Sequence, residues 1–232
     1  MKTRIVSSIN LVLTFIEHFP HKIKNIYITD DKNPKIVKLL EKKGIDFEFV
    51  RDPLSTEKKG VHQHIWARVH EYKYVDFEDL KNLDKILILD QITDPHNFGA
   101  MARTAHQLGF EGVILQTRNC VSVTETVSRI STGAVEFLKV AQVGNIRNAM
   151  KSLKQSGFEI FATDMKGIPL QKINFSEKIA VVMGSEGKGV RYMIKEDSDY
   201  LVSIPMVGKL DSVNVSNAFA IVAWEVVRGK SN

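Results

Sequence analysis

Cysteine is almost missing from this chain: Cys120 is the one thiol in 232 residues. An internal disulfide is excluded, and so is a zinc site built from several thiolates. That scarcity fits a reducing, cytoplasmic setting. No run of about 18 apolar residues occurs, so no membrane-spanning helix is expected. The start, Met1-Lys2-Thr3-Arg4, is basic, but Ser7, Ser8 and Asn10 interrupt the apolar run behind it. No small-residue cleavage site follows, so a secretory leader is not expected. Two nucleotide signatures are also lacking. The Gly-Lys-Ser/Thr ending of a phosphate-binding loop is absent, and no G-x-G-x-x-G stands in a dinucleotide-binding context, which removes the support for a Rossmann-type oxidoreductase. No repeat or low-complexity segment is visible.

What is present is an ordinary globular composition, with 44% hydrophobic and 25% charged residues. The length suits one or two domains. The net charge of +5 is modest but unevenly spread. Residues 1–70 hold 13 basic and 8 acidic side chains, whereas residues 71–84 hold 2 and 5. A basic N-terminal third suits a polyanion such as RNA, although charge alone is better accounted for by a solvated lysine-rich surface.

Periodicity predicts two α/β units. In the first, Ile26–Thr29 reads as a strand and Asn33-Pro34 as the start of a helix that Gly44 closes; further strands are expected at 46–50 and 64–69. The acidic, weakly periodic stretch 71–84 is the expected linker. The second unit opens on Ile86-Leu87-Ile88-Leu89, a continuous apolar strand of the kind buried on both faces. A helix through Met101, Ala105 and Leu108 follows, then strands at 112–116, 158–163, 179–183 and 200–204. Helices are expected near 147–155 and across Val215–Val226. Strands alternating with helices predict a mostly parallel sheet covered on both faces.

Three polar segments follow buried-type strands, where open α/β sheets place their ligands. The first is Asp94-Pro95-His96-Asn97-Phe98-Gly99-Ala100-Met101-Ala102-Arg103. Arg103 points away from the apolar stripe, where a guanidinium can grip a phosphate bidentately or simply face water. Asn97 reads as a helix N-cap that can also meet a substrate. The second segment is Gly184-Ser185-Glu186-Gly187-Lys188-Gly189. Its glycines allow close backbone approach to a ligand, or only a flexible turn, while Glu186 would repel a polyphosphate. The third crowds Ser212, Asn214 and Ser216 before the last helix, more polar side chains than one cap requires.

Taken in order, Asn97-Phe98-Gly99-Ala100-Met101-Ala102-Arg103, Met183-Gly184-Ser185-Glu186-Gly187 and Ser203-Ile204-Pro205-Met206 with Ser212-Val213-Asn214-Val215-Ser216 resemble the SpoU (TrmH-type) RNA 2′-O-methyltransferases of the SPOUT superfamily. The resemblance covers about residues 86–228. The N-terminal third, through Val61-His62-Gln63 and Ile65-Trp66-Ala67-Arg68-Val69, is similar to the substrate-binding domain of the 23S rRNA guanosine enzymes and to the ribosomal protein L30e fold.

The resemblance implies an RNA-binding domain over 1–70, a linker over 71–84 and a catalytic domain over 85–232 carrying a deep trefoil knot. It implies S-adenosylmethionine as cofactor, held largely by backbone groups near Gly184, Ile204, Met206, Leu210 and Val213. It assigns Arg103, Asn97, Glu186, Ser212 and Asn214 to the active site, and expects a homodimer acting on RNA, most simply 23S rRNA, with no metal, membrane or DNA. Arg103 is often given the proton of the 2′-hydroxyl in that family. Because guanidinium rarely deprotonates, holding a phosphate and stabilising a developing oxyanion is the physically sounder role. His96 reads as structural. The alternatives are a tRNA 2′-O-methyltransferase of the same family and a non-catalytic RNA-binding protein.

Overall fold

Two sheets organise the chain in a computed structural model that describes residues 2–29, 34–50, 64–209 and 212–228. The first contains β1 (Thr3–Ser7), β2 (Ile23–Ile28), β3 (Phe47–Phe49) and β4 (Ile65–His70), with helices α1 (Ile9–His18) and α2 (Pro34–Lys43). Its strand order is β1-β4-β2-β3, with only β2 and β3 parallel. Sequence reading assigns no element to Thr3–His18, yet α1 buries Leu11, Val12, Phe15 and Ile16 on one face and Ser8 caps it by accepting from Leu11 N. The serine and asparagine that break the apolar run are a cap and an exposed helical position, a local role that a search for apolar stretches does not detect. Asn33, Val61, His62 and Gln63 lie outside the described residues.

The second unit comprises β5 (Lys85–Asp90), α3 (Pro95–Gln107), β6 (Gly112–Gln116), α4 (Glu125–Ile130), β7 (Lys139–Val143), α5 (Ile146–Gln155), β8 (Glu159–Pro169), β9 (Ile179–Gly184), α6 (Tyr192–Glu196), β10 (Tyr200–Ser203) and α7 (Val215–Arg228). All six strands are parallel, in the order β10-β8-β9-β5-β6-β7. This is the expected mostly parallel α/β architecture. Alternation along β5 divides the core: Leu87 and Leu89 join residues of α3, α4 and α7 on one face. Ile86 and Ile88 join residues of α5 and α6 on the other. Strands β5 and β9 are fully covered, which is why they read as unbroken apolar runs.

The acidic segment 71–84, expected as a linker, is packed against the larger sheet. Leu80 is fully buried within a short 3₁₀ turn, Phe77–Asn82. The Tyr72 hydroxyl donates to Leu138 O at 2.5 Å and accepts from Val140 N at 3.2 Å, and the Tyr74 hydroxyl accepts from Val123 N at 2.9 Å. Burial pushes both phenols above their usual range, so they remain donors. The charge of this stretch hides its apolar and aromatic residues from a composition-based reading.

The two units meet through a buried ionic contact. Glu136, whose side chain is inaccessible, pairs with Arg4 of β1 and, at 3.1 Å, with Lys22. Arg4 also donates to Ser128 Oγ at 2.6 Å. Beside this contact, Phe137 packs on Phe19 at 4.6 Å and stacks on His106 of α3 at 4.5 Å. Among the described residues no helix is long and apolar enough to cross a membrane.

Candidate active site

Each of the three polar segments leaves the carboxyl end of a strand in the larger sheet, and the fold brings the three together. Helix α3 starts with Asp94 as its cap, accepting from His96 N at 2.9 Å, and with Pro95 in the first turn. Asn97 is therefore not the cap that its position suggests. It lies in the first turn, buried, with its amide turned into the site. Its Nδ2 donates to Glu186 Oε1 at 2.9 Å, and its Oδ1 accepts from Asn214 Nδ2 at 2.9 Å. Asn214 Nδ2 also donates to Glu186 Oε1, at 2.7 Å. Three residues separated by 89, 117 and 28 positions thus close one hydrogen-bonded triangle.

Local chemistry fixes each corner. Asn214 Oδ1 accepts from Ser216 N at 2.9 Å and from Ser216 Oγ at 2.5 Å, so this residue holds the start of α7 while its Nδ2 serves the triangle. The Glu186 loop is pinned at its base by Gly189 N donating to Ser185 O at 2.8 Å. A methyl group on Gly184 would lie 2.0 Å from the Gly189 carbonyl carbon, so only glycine lets the loop fold back on the end of β9. Gly189 itself sits at φ +66°, a left-handed conformation.

The other predicted residues do not join the triangle among the described hydrogen bonds. Arg103 is exposed on α3, six residues beyond Asn97 and so about 9 Å along the helix axis. Among the described residues it has no ion-pair partner and does not join the triangle. Ser212 and Val213 are exposed immediately before Asn214, Ile204 is half-buried against the core, and Met206 is exposed beside a fully exposed Val207. Leu210 lies outside the described residues.

One functional pair escaped the sequence reading. Asp90, the last residue of β5, is a fully buried carboxylate paired in register with Gly184. It accepts from Arg191 N at 2.9 Å and from Arg191 Nε at 2.7 Å, so it ties down the far end of the Glu186 loop. The available signal was an aspartate closing an otherwise wholly apolar strand.

Residues 84–224 match the model of the SpoU rRNA Methylase family. The chain belongs to this family. The Bacillus subtilis protein YacO, assigned to the TrmH family of tRNA/rRNA methyltransferases, is 35% identical over 206 residues, covering 85% of this chain and 83% of YacO. The crystal structure of an AdoMet-bound rRNA methyltransferase from Sinorhizobium meliloti superposes with a TM-score of 0.77 at 23% identity, covering 97% of this chain and 87% of that one. A TrmH/SpoU tRNA modifying enzyme from A. aeolicus, with a TM-score of 0.59 and 25% identity, covers 67% of this chain and 82% of its own. With the family fixed, the triangle gains a context. The three segments that meet in it are the three that carry the SpoU resemblance.

Proposed function

We propose that this SpoU-family protein transfers a methyl group to the ribose 2′-hydroxyl of a guanosine in 23S rRNA. Membership of the family makes it an S-adenosylmethionine-dependent RNA methyltransferase. The observation that carries the reading is the Asn97–Glu186–Asn214 triangle, which joins one residue from each of the three segments. The choice of rRNA is supported by the span of the likeness. The rRNA methyltransferase superposes over nearly the whole chain, whereas the tRNA enzyme matches two thirds of it.

The groups that would hold the cofactor are the end of β9 at Gly184 and, largely through the backbone, the stretches at Ile204, Met206, Leu210 and Val213. They suit an adenosine with a sulfonium-bearing tail: Met206 and Val213 offer uncovered apolar surface, and the loop folded against Gly184 holds the end of β9 in place. When bound, S-adenosylmethionine supplies an electrophilic methyl on a sulfonium. The protein's share is alignment and charge. The triangle holds the three loops in one geometry, so that the donor and acceptor pockets keep a fixed separation. Arg103 holds a phosphate of the RNA and stabilises negative charge growing on the 2′-oxygen, and Ser212 contributes a hydroxyl at the rim. The knotted path and the division at residues 70 and 85 are part of the same proposal, as is an L30e-like role for the N-terminal unit in holding RNA.

A homodimer completes it. Ile221 and Trp224 form an uncovered apolar stripe on α7, 43% and 57% exposed, and Val213 and Met206 are exposed apolar side chains as well. A second copy covering this face would bring a partner surface to each active site. Sedimentation of the purified protein is expected to report a dimer, and Trp224→Glu a monomer with most activity lost; a fully active monomer would remove the dimer from the proposal.

The substrate test is transfer of labelled methyl from S-adenosylmethionine to unmodified 23S rRNA. Ribose methylation should map to a guanosine. Product on tRNA with none on 23S rRNA would move the assignment to the tRNA branch of the family.

A further inference from the structure

Away from the triangle lies a cavity of about 310 Å³, at the carboxyl ends of β6 and β7 and against the starts of α5 and α6. That is close to the lower end for small-ligand sites, roughly 300 Å³. Its polar lining is Gln116, Asn145, Arg147 and Arg191, and its outer wall is Tyr192 with Met193. We propose that this cavity is a subsite for an unstacked guanine of the substrate RNA, at a nucleotide other than the one methylated. The inference rests on the reading of the protein as an RNA methyltransferase.

Charge decides against a phosphate as the main occupant. Arg147 is held by Asp197, through Nε at 2.5 Å and Nη2 at 3.2 Å. Arg191 is held by the buried Asp90. Each guanidinium therefore has its own carboxylate, and the lining has no surplus of positive charge to attract a polyanion. A planar neutral group is the better match, and Tyr192, 70% exposed, offers it an aromatic face. Sequence-specific RNA recognition commonly works in this way, by stacking a splayed base on an aromatic ring and hydrogen-bonding its edges.

The hydrogen-bonding capacity left over selects the base. Gln116 gives its Oε1 to Arg191 Nη2 at 2.9 Å, an arrangement forced because arginine only donates. Asn145 gives its Oδ1 to Arg147 N at 2.8 Å and Asn148 N at 3.3 Å, capping α5. Both amides therefore present Nδ2 or Nε2 to the cavity. Arg147 and Arg191 each retain Nη1, which makes no hydrogen bond among the described residues. Apart from one lone pair left on Gln116 Oε1, the unspent polar groups of these four side chains are donors. Guanine meets them with two acceptors, N7 and O6, on one edge, whereas adenine offers N7 beside an N6 donor.

Position separates this base from the reacting ribose. The triangle lies at the start of α3, on the sheet face that α3 and α7 cover, whereas α5 and α6 cover the opposite face. Arg191 links the two places, because its backbone and Nε fix the Glu186 loop through Asp90 while its Nη2 holds Gln116. Base recognition at the cavity is thus mechanically joined to the loop that builds the active site.

The test uses fluorescein-labelled uridine pentamers carrying guanosine, adenosine or 7-deazaguanosine at the centre, with affinity read by anisotropy. The guanosine pentamer is expected to bind the full-length protein about tenfold more tightly than the adenosine one, with 7-deazaguanosine losing most of that preference. Tyr192→Ala should weaken guanosine binding by about tenfold and Tyr192→Phe should not, with S-adenosylmethionine affinity unchanged in both. Equal affinity for all three pentamers, or an unaltered preference in Tyr192→Ala, overturns the subsite. A guanosine preference in a protein that methylates no RNA would instead keep the subsite and discard the proposed reaction.

Discussion

Arg103→Ala is expected to lower the single-turnover rate of methyl transfer by about a thousandfold and to leave S-adenosylmethionine affinity within about twofold. Within the fold itself this side chain has little to do. Arg103 is exposed on α3, and among the described residues it has no ion-pair partner. Removing such a side chain changes stability by no more than about 0.5 kcal/mol. Any large loss of rate must therefore come from contacts made with substrate. The helix itself is rigidly placed: Phe98, Met101, Ala102 and Ala105 are buried in the core, and Asn97 is locked into the triangle. Truncation at Arg103 thus leaves the other site groups where they were. Arg103→Lys keeps the charge but loses the planar fork, and should recover only part of the rate if a phosphate is gripped bidentately. Single-turnover measurement at saturating RNA separates this effect from weaker RNA binding. A fully active alanine variant would take the residue out of the mechanism.

Glu136→Ala should destabilise the protein by about 3 kcal/mol, measured by urea unfolding. The Glu136 side chain is fully buried, and its two cationic partners, Arg4 and Lys22, come from the other unit. Losing the carboxylate leaves two cations in a poorly solvated contact, with Arg4 only 12% exposed and Lys22 able to reach water more readily at 26%. The cost is that of uncompensated charge rather than of lost attraction. A triple variant, Arg4→Met with Lys22→Met and Glu136→Leu, is accordingly expected to regain most of the stability. If the triple variant is as unstable as the single one, the loss has another origin. The same contact bears on function, because His106 of α3 stacks on the adjacent Phe137. Burial, with His18 nearby, pushes the His106 imidazole below its usual range and favours the neutral ring that this stacking suits.

Much of the larger unit was legible because its strands are covered on both faces. In a chain of this composition, continuous apolar runs such as Ile86–Leu89 and Ile179–Met183 are too short for a membrane span and fit a doubly covered strand best. Where elements were short or mixed, the pattern gave less. Sequence reading assigns nothing to β1, α1, α4 or β7, and it takes the packed segment 71–84 for a linker. In α1, for example, polar residues with a local job, such as Ser8 as a cap, mask the apolar positions. Asn97 shows the same limit at the site. Its sequence position suits a cap, but Asp94 takes that role and frees the Asn97 amide for Glu186 and Asn214.

By itself the sequence determined the family, the parallel α/β class and the three polar segments that carry the family resemblance, because these follow from residue type, order and period. Only the tertiary structure decided that the segments meet in one triangle, that Asp90 and Arg191 clamp the Glu186 loop, and that Glu136 joins the two units. Those facts depend on pairs up to 132 residues apart, brought together by strand order and core packing. Periodicity within a single element contains no record of them.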